Sequence, residues 1–284
     1  MTSFAVIFEP FTFVFMQQAF LIAILVAIPT AILSCFLVLK GWSLMGDAIS
    51  HSILPGVVLA YILGFPYIVG AFFAGIFCAT ATGFISNNSR LKEDTAMGVV
   101  FSSMFALGIV MMTKVDSSIH LDHILFGDIL GISWDDVMQS GLISLIVVVV
   151  VLAKGKDLLV FVFDHQHANV IGLPVGLLHY GLLCVLSLTI VAALKAVGMI
   201  LVIAMLIAPG AIAHLVTNEF KHMIRLSIGV SVLCSILGVY ASFFIDSAPA
   251  PTIIVLLSIA FVGVFIFTSQ KARTNSLQQA QATN

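Results

Sequence analysis

Asp47 and His51 stand four residues apart in the stretch Gly46-Asp47-Ala48-Ile49-Ser50-His51-Ser52. A carboxylate and an imidazole at that spacing share one face of a helix. Together they suit a borderline divalent ion such as Mn2+, Fe2+ or Zn2+. Length decides where they sit. The apolar run from Ile53 to Leu63 is too short to cross a bilayer, which takes about 20 helical residues. A helix that starts near Trp42 completes the span, and the pair then falls inside the membrane. Ionisable groups at that depth are costly and by default mark an ion or substrate path. Two ligands hold an ion weakly, which suits a route that the ion must also leave. The plainer alternative is a buried Asp–His or Asp–Ser pair that ties two helices together. Ser50 and Ser52 are read as bonding backbone carbonyls. Pro55 is tolerated in a membrane helix where neighbours satisfy the freed carbonyl.

Other clusters carry weaker signals. His120-Leu121-Asp122-His123, followed by Phe126-Gly127-Asp128, places histidines at i, i+3 on the outer side. A shared metal is one reading, and a segment packing against a partner is the favoured one. In Arg90-Leu91-Lys92-Glu93-Asp94-Thr95 the two acids open a helix, where they complement the positive end of its dipole; docking to a cytosolic protein is the sharper alternative. Pro209-Gly210 is expected to break or bend an apolar helix near its inner end. A short amphipathic piece follows to Lys221, suited to a groove on another protein or to an interfacial elbow. Phe163-Asp164-His165-Gln166-His167-Ala168 looks ligand-like, but it is read as a flexible cytoplasmic loop.

The elements that position these groups follow from composition. The chain is 61% hydrophobic and 8% charged, with a formal net charge of -2. That balance excludes a water-soluble domain and gives no sign of nucleic-acid binding. An all-α, polytopic membrane bundle of about eight or nine transmembrane helices is predicted. The spans are Phe13–Leu39, Trp42–Leu63, Tyr67–Ser86, Thr95–Thr113, Val137–Ala153, Val175–Leu194, Val197–Val216, Met223–Ile245 and Thr252–Ser269. Short connections make residues 1–270 one transmembrane domain, and the polar tail 271–284 is expected to be disordered. No cleavable secretory signal is expected. Cys35, Cys78, Cys184 and Cys234 each sit in an apolar run and read as free buried thiols.

Basic residues favour the cytoplasmic side. With the C-terminus inside, the inner loops hold Lys40, Arg90, Lys92, Lys154, Lys156, Lys221, Arg225, Lys271 and Arg273, and the outer side keeps Lys114 and Lys195. The outer side also carries Glu9, Asp116, Asp122, Asp128, Asp135, Asp136 and Asp246, which either concentrate cations at the mouth or are simply solvated. No phosphate-binding GxxxxGK[ST] loop is present. Uphill ion movement therefore draws its energy from a partner or from an ion gradient.

Four stretches carry a family resemblance: Leu39 to Gly56, Lys92 to Gly98, His123 to Gly131 and Gly198 to Gly210. With them, the sequence from Phe11 to about Phe267 resembles the permease subunits of bacterial ABC importers for manganese, iron and zinc. Ile171-Gly172-Leu173-Pro174 and His179-Tyr180-Gly181-Leu182-Leu183 make it most similar to the chelated iron and manganese permeases of Gram-negative bacteria. The resemblance implies an inner-membrane channel of two permease subunits, alike or sister chains. It also implies a separate cytosolic ATPase that contacts about 209–221 and 90–97, and a periplasmic metal-binding protein at the outer loops. Asp47 and His51 match the intramembrane metal position. The ion is cargo, Mn2+, Fe2+ or Zn2+, and no permanent cofactor and no catalytic residue is expected. A zinc-specific importer and a gradient-driven secondary transporter are the rival readings.

Overall fold

The computed structural model describes residues 8–42, 44–114, 127 and 129–282. The side chains of Asn87, Lys195 and 272–282 are outside that description. So is the cluster from His120 to Phe126, together with Asp128. Among the described residues the chain is helical and contains no strand. Nine helical segments there are long and apolar enough to cross a membrane.

A 3-10 turn over Glu9–Thr12 leads into α1 (Val14–Lys40). The second span, Met45–Leu63, is made of α2 (Met45–Ser52) and α3 (Leu54–Leu63), divided at Ile53. Then come α4 (Tyr67–Asn88), α5 (Glu93–Met112), α6 (Trp134–Ala153), α7 (Gly155–Phe163) and α8 (His165–Val170). The long α9 (Val175–Val216), α10 (Phe220–Ile245) and α11 (Pro249–Ala282) complete the bundle. The spans agree with the sequence reading to within a few residues. The backbone of α11 stays helical past Lys271, so that residue ends the apolar span rather than the helix.

The α9 element is two antiparallel arms. Gly198 has φ 75° and ψ 166°, outside any helix, and the chain reverses there. At the start of the first arm, His179 packs on Trp42, just past the Lys40 end of α1. At the end of the second arm, Ala213 packs with Cys35 and Met223. Both arms therefore end on the Lys40 side. Gly198 sits at the opposite side against Gly127, and a Cβ on Gly127 would strike the Gly198 backbone.

Lipid is as apolar as leucine, so helix association rests on close packing and interhelical hydrogen bonds. Gly56 and Ala60 on α3 face Gly70 and Ala74 on α4. A Cβ on either glycine would overlap the other's carbonyl oxygen, so the two backbones touch. α1 forms the core with α9: among its residues Ile22, Ala27, Leu33 and Leu37 are all buried. Its end is set by Gly41, whose φ of 77° lets Gly41 and Trp42 cap the Val38 and Leu37 carbonyls.

Two local expectations change. Pro209-Gly210 does not break its helix, which runs on to Val216. Ser34 of α1 explains why: its hydroxyl donates to the Ile207 carbonyl at 3.2 Å and accepts from the Gly210 N–H at 2.8 Å. A neighbouring serine thus satisfies backbone groups beside the proline, and Gly210 is small because Ser34 lies against it. The bend comes later, in the three residues Thr217, Asn218 and Glu219. Likewise, 163–168 is not a flexible loop. The Asp164 carboxylate accepts from the His167 N–H at 2.9 Å and caps α8, and His165 packs on Phe161.

Candidate functional site

Proline 55 shapes the site. It takes away the N–H that would bond the His51 carbonyl one turn below, and its ring crowds that carbonyl. The regular helix is interrupted at Ile53, just beyond His51, and resumes at Leu54. Before the interruption, α2 is buried on most of its surface: Met45, Gly46, Ala48, Ile49, Ser50 and Ser52 all lie inside. Ser50 donates to the Gly46 carbonyl at 2.7 Å and Ser52 to the Ile49 carbonyl at 2.9 Å, the structural roles expected of them. Asp47 and His51 occupy the remaining face, with side chains 32% and 28% exposed.

Depth follows from the neighbours. Gly46 packs on Leu206 in the middle of the second α9 arm, and Ile49 lies with Ser187 beside Gly75, well inside α4. The α2 turn that bears the pair is thus level with the middle of three surrounding spans. An acid at that depth is not explained by solvation.

The structure brings Asp47 and His51 together. Nε2 of His51 lies 3.3 Å from Oδ1 of Asp47. Two donors each about 2.1 Å from a divalent ion stand roughly 3.0–3.4 Å apart at octahedral to tetrahedral angles. The pair is already at the bite distance of such an ion. Among the described residues no group of three or more His, Cys, Asp or Glu converges. Among the described residues, Asp47 and His51 are the two such groups that meet here.

Phe101 and Phe105 of α5 border the His51 ring, with centroids 6.0 Å and 5.1 Å from it. Neither was anticipated from the sequence. The available signal was their one-turn spacing on a helix predicted to be a neighbouring span. Beyond Ile53, Leu59, Leu63, Phe73, Met104 and Leu107 help to line an apolar groove of about 620 Å³. Among the described residues that line it, none has an ionisable side chain.

The remaining candidates resolve into local structure. Glu93 and Asp94 lie in the first turn of α5, as expected of dipole-compensating acids. Asp135 and Asp136 open α6, and Asp136 closes a capping box with Ser133. Asp246 adopts the left-handed conformation that ends α10. The four cysteines are free.

Comparison with known proteins gives this arrangement its context. The model of the ABC 3 transport family matches residues 12–268. The chelated iron transport system membrane protein YfeD of Yersinia pestis is 54% identical over 268 residues, covering 94% of this chain and 90% of that one. The manganese transport system membrane protein MntB of a Synechocystis strain is 47% identical over 254 residues, covering 89% and 83%. Among solved structures, PsaBC from Streptococcus pneumoniae in complex with Fab superposes with a TM-score of 0.84 at 38% identity, covering 92% of this chain and 95% of that one. With the family model spanning nearly the whole helical bundle, this multi-pass chain is a membrane permease that belongs to the ABC 3 transport family.

Proposed function

We propose that this chain is the permease subunit of an ATP-driven importer of manganese and iron in the bacterial inner membrane, and that Asp47 and His51 ligate the ion in transit. The observation that carries the reading is the acid–imidazole pair, 3.3 Å apart at mid-span depth on the one open face of α2. Relatives named for iron and manganese transport support the choice of cargo. The carboxylate favours manganese and iron somewhat, although raw affinity of such a pair runs toward zinc.

In this reading residues 1–270 form the single permease domain, with 271–284 as a polar cytoplasmic tail. Two permease subunits, identical or sister chains, enclose the path. A periplasmic metal-binding protein delivers the ion to the outer loops. Cytosolic ATP-binding subunits contact 90–97 and 209–221, both near the Lys40 side. Their nucleotide cycle switches the opening between the two sides of the membrane.

Uptake of radiolabelled manganese into cells expressing the complete importer tests the reading. It should stop on ATP depletion and persist with an uncoupler at maintained ATP, with unlabelled iron competing better than zinc. Uptake that survives ATP loss but dies with the uncoupler means a gradient-driven transporter. Preferential competition by zinc means a zinc importer.

A further inference from the structure

A lone imidazole on an open helix face has several staggered side-chain positions, and His51 adopts one that brings Nε2 to 3.3 Å from Asp47. The restraint comes from α5. The Phe101 ring lies 28° from parallel to the imidazole, and Phe105 meets it edge-on at 79°. The two phenylalanines are one turn apart, and Gly108 extends the same face of α5. At Gly108 the α5 backbone closes onto the start of α3: an added Cβ would stand 2.9 Å from Leu54 Cγ and 2.9 Å from Pro55 N. Met97, one turn before Phe101, is 1% exposed. The face 97–101–105–108 therefore runs along the α2–α3 span, anchored at Gly108, and the half-buried rings of Phe101 and Phe105 border the imidazole on two sides.

We propose that Phe101 and Phe105 are positioning residues for the metal ligand His51: they hold its ring in the orientation that turns Nε2 toward Asp47. This rests on the reading of Asp47 and His51 as ligands. The physical gain is preorganisation. A ligand already aligned loses little side-chain freedom when the ion arrives, and groups that orient a metal-bound histidine are typically worth 10–100-fold in metal affinity.

The test uses the full chain in lipid nanodiscs with Mn2+ alone as the probe. Equilibrium binding gives the affinity, and pulsed electron paramagnetic resonance gives the 14N coupling of a coordinated imidazole. The variants are His51→Ala, the double variant Phe101→Leu with Phe105→Leu, and the conservative pair Phe101→Tyr with Phe105→Tyr. The wild type should give a 14N coupling that His51→Ala removes. The leucine pair should weaken Mn2+ binding roughly tenfold and reduce the coupling with it. The tyrosine pair, which keeps both rings, should restore both signals. A leucine pair that folds less stably but keeps full coupling and affinity overturns the positioning role while leaving His51 as ligand. Unchanged coupling in His51→Ala overturns the ligand reading and the positioning role with it.

Discussion

The same two chemical groups have different consequences at two places in this chain. His222 and Glu219 are 2.6 Å apart, closer than His51 and Asp47, but their side chains are 57% and 75% exposed beside a surface bend. Water and salt screen that pair, and its worth is small. Asp47 and His51 are level with mid-span neighbours, where an unused ionisable pair carries a standing cost. A substitution separates Asp164 from metal binding. Asp164→Ala should cost about 1 kcal/mol by uncapping α8, while uptake keeps its ratio of manganese to zinc. Thermal unfolding and competition assays read the two effects separately. That Asp47 and His51 meet on one helix face was legible in the sequence, because their spacing and the span length left one placement. The roles of Phe101 and Phe105 were not, because nothing within α5 says which face meets His51.

At the scale of elements, most of the fold could be read from apolar run lengths. Errors fell where one element acts on another. A break or bend at Pro209 was expected from proline's missing donor; the helix runs through it, and Ser34 on a distant helix bonds the backbone on both sides of that proline. Ser34→Ala should therefore destabilise the bundle by about 1 kcal/mol, the usual scale for an interhelical hydrogen bond in a membrane, measurable as a lower unfolding midpoint. Glycine positions allow a sharper comparison. Gly70→Leu drives a side chain into the α3 backbone, beyond the roughly 1–3 kcal/mol of ordinary overpacking, so little folded protein should accumulate. Gly229→Ala in α10 meets nothing within 4 Å and should leave yield and stability unchanged. Detergent-extracted yield on size exclusion distinguishes the pair. α7 and α8 went unread for a related reason: the apolar stretch of α7 lacks the length that marks a span, and α8 is short and polar.

For the whole molecule, the reversal at Gly198 brings both ends of α9 to the Lys40 side, together with α7, whose Phe161 ring lies 4.4 Å from the Lys40 ammonium. That side gathers the basic loops which the charge rule assigns to the cytoplasm. In a cysteine-free background, Gly172→Cys should react with an impermeant thiol reagent only from the cytosolic face, and Phe65→Cys only from the periplasmic face. The charge rule assigns a sidedness because lysine and arginine placement is a property of the whole chain. No spacing in the sequence points to donors beyond Asp47 and His51, because groups that meet across helices leave no mark within one helix.

Transport of radiolabelled manganese by the complete importer bearing Asp47→Ala or His51→Ala, at membrane levels matched to the wild type, addresses the ligand pair most directly. Each variant should lose nearly all uptake while the complex still assembles. Uptake at the wild-type rate in either variant would mean that the ion crosses without that residue, and the path drawn through this pair would be wrong.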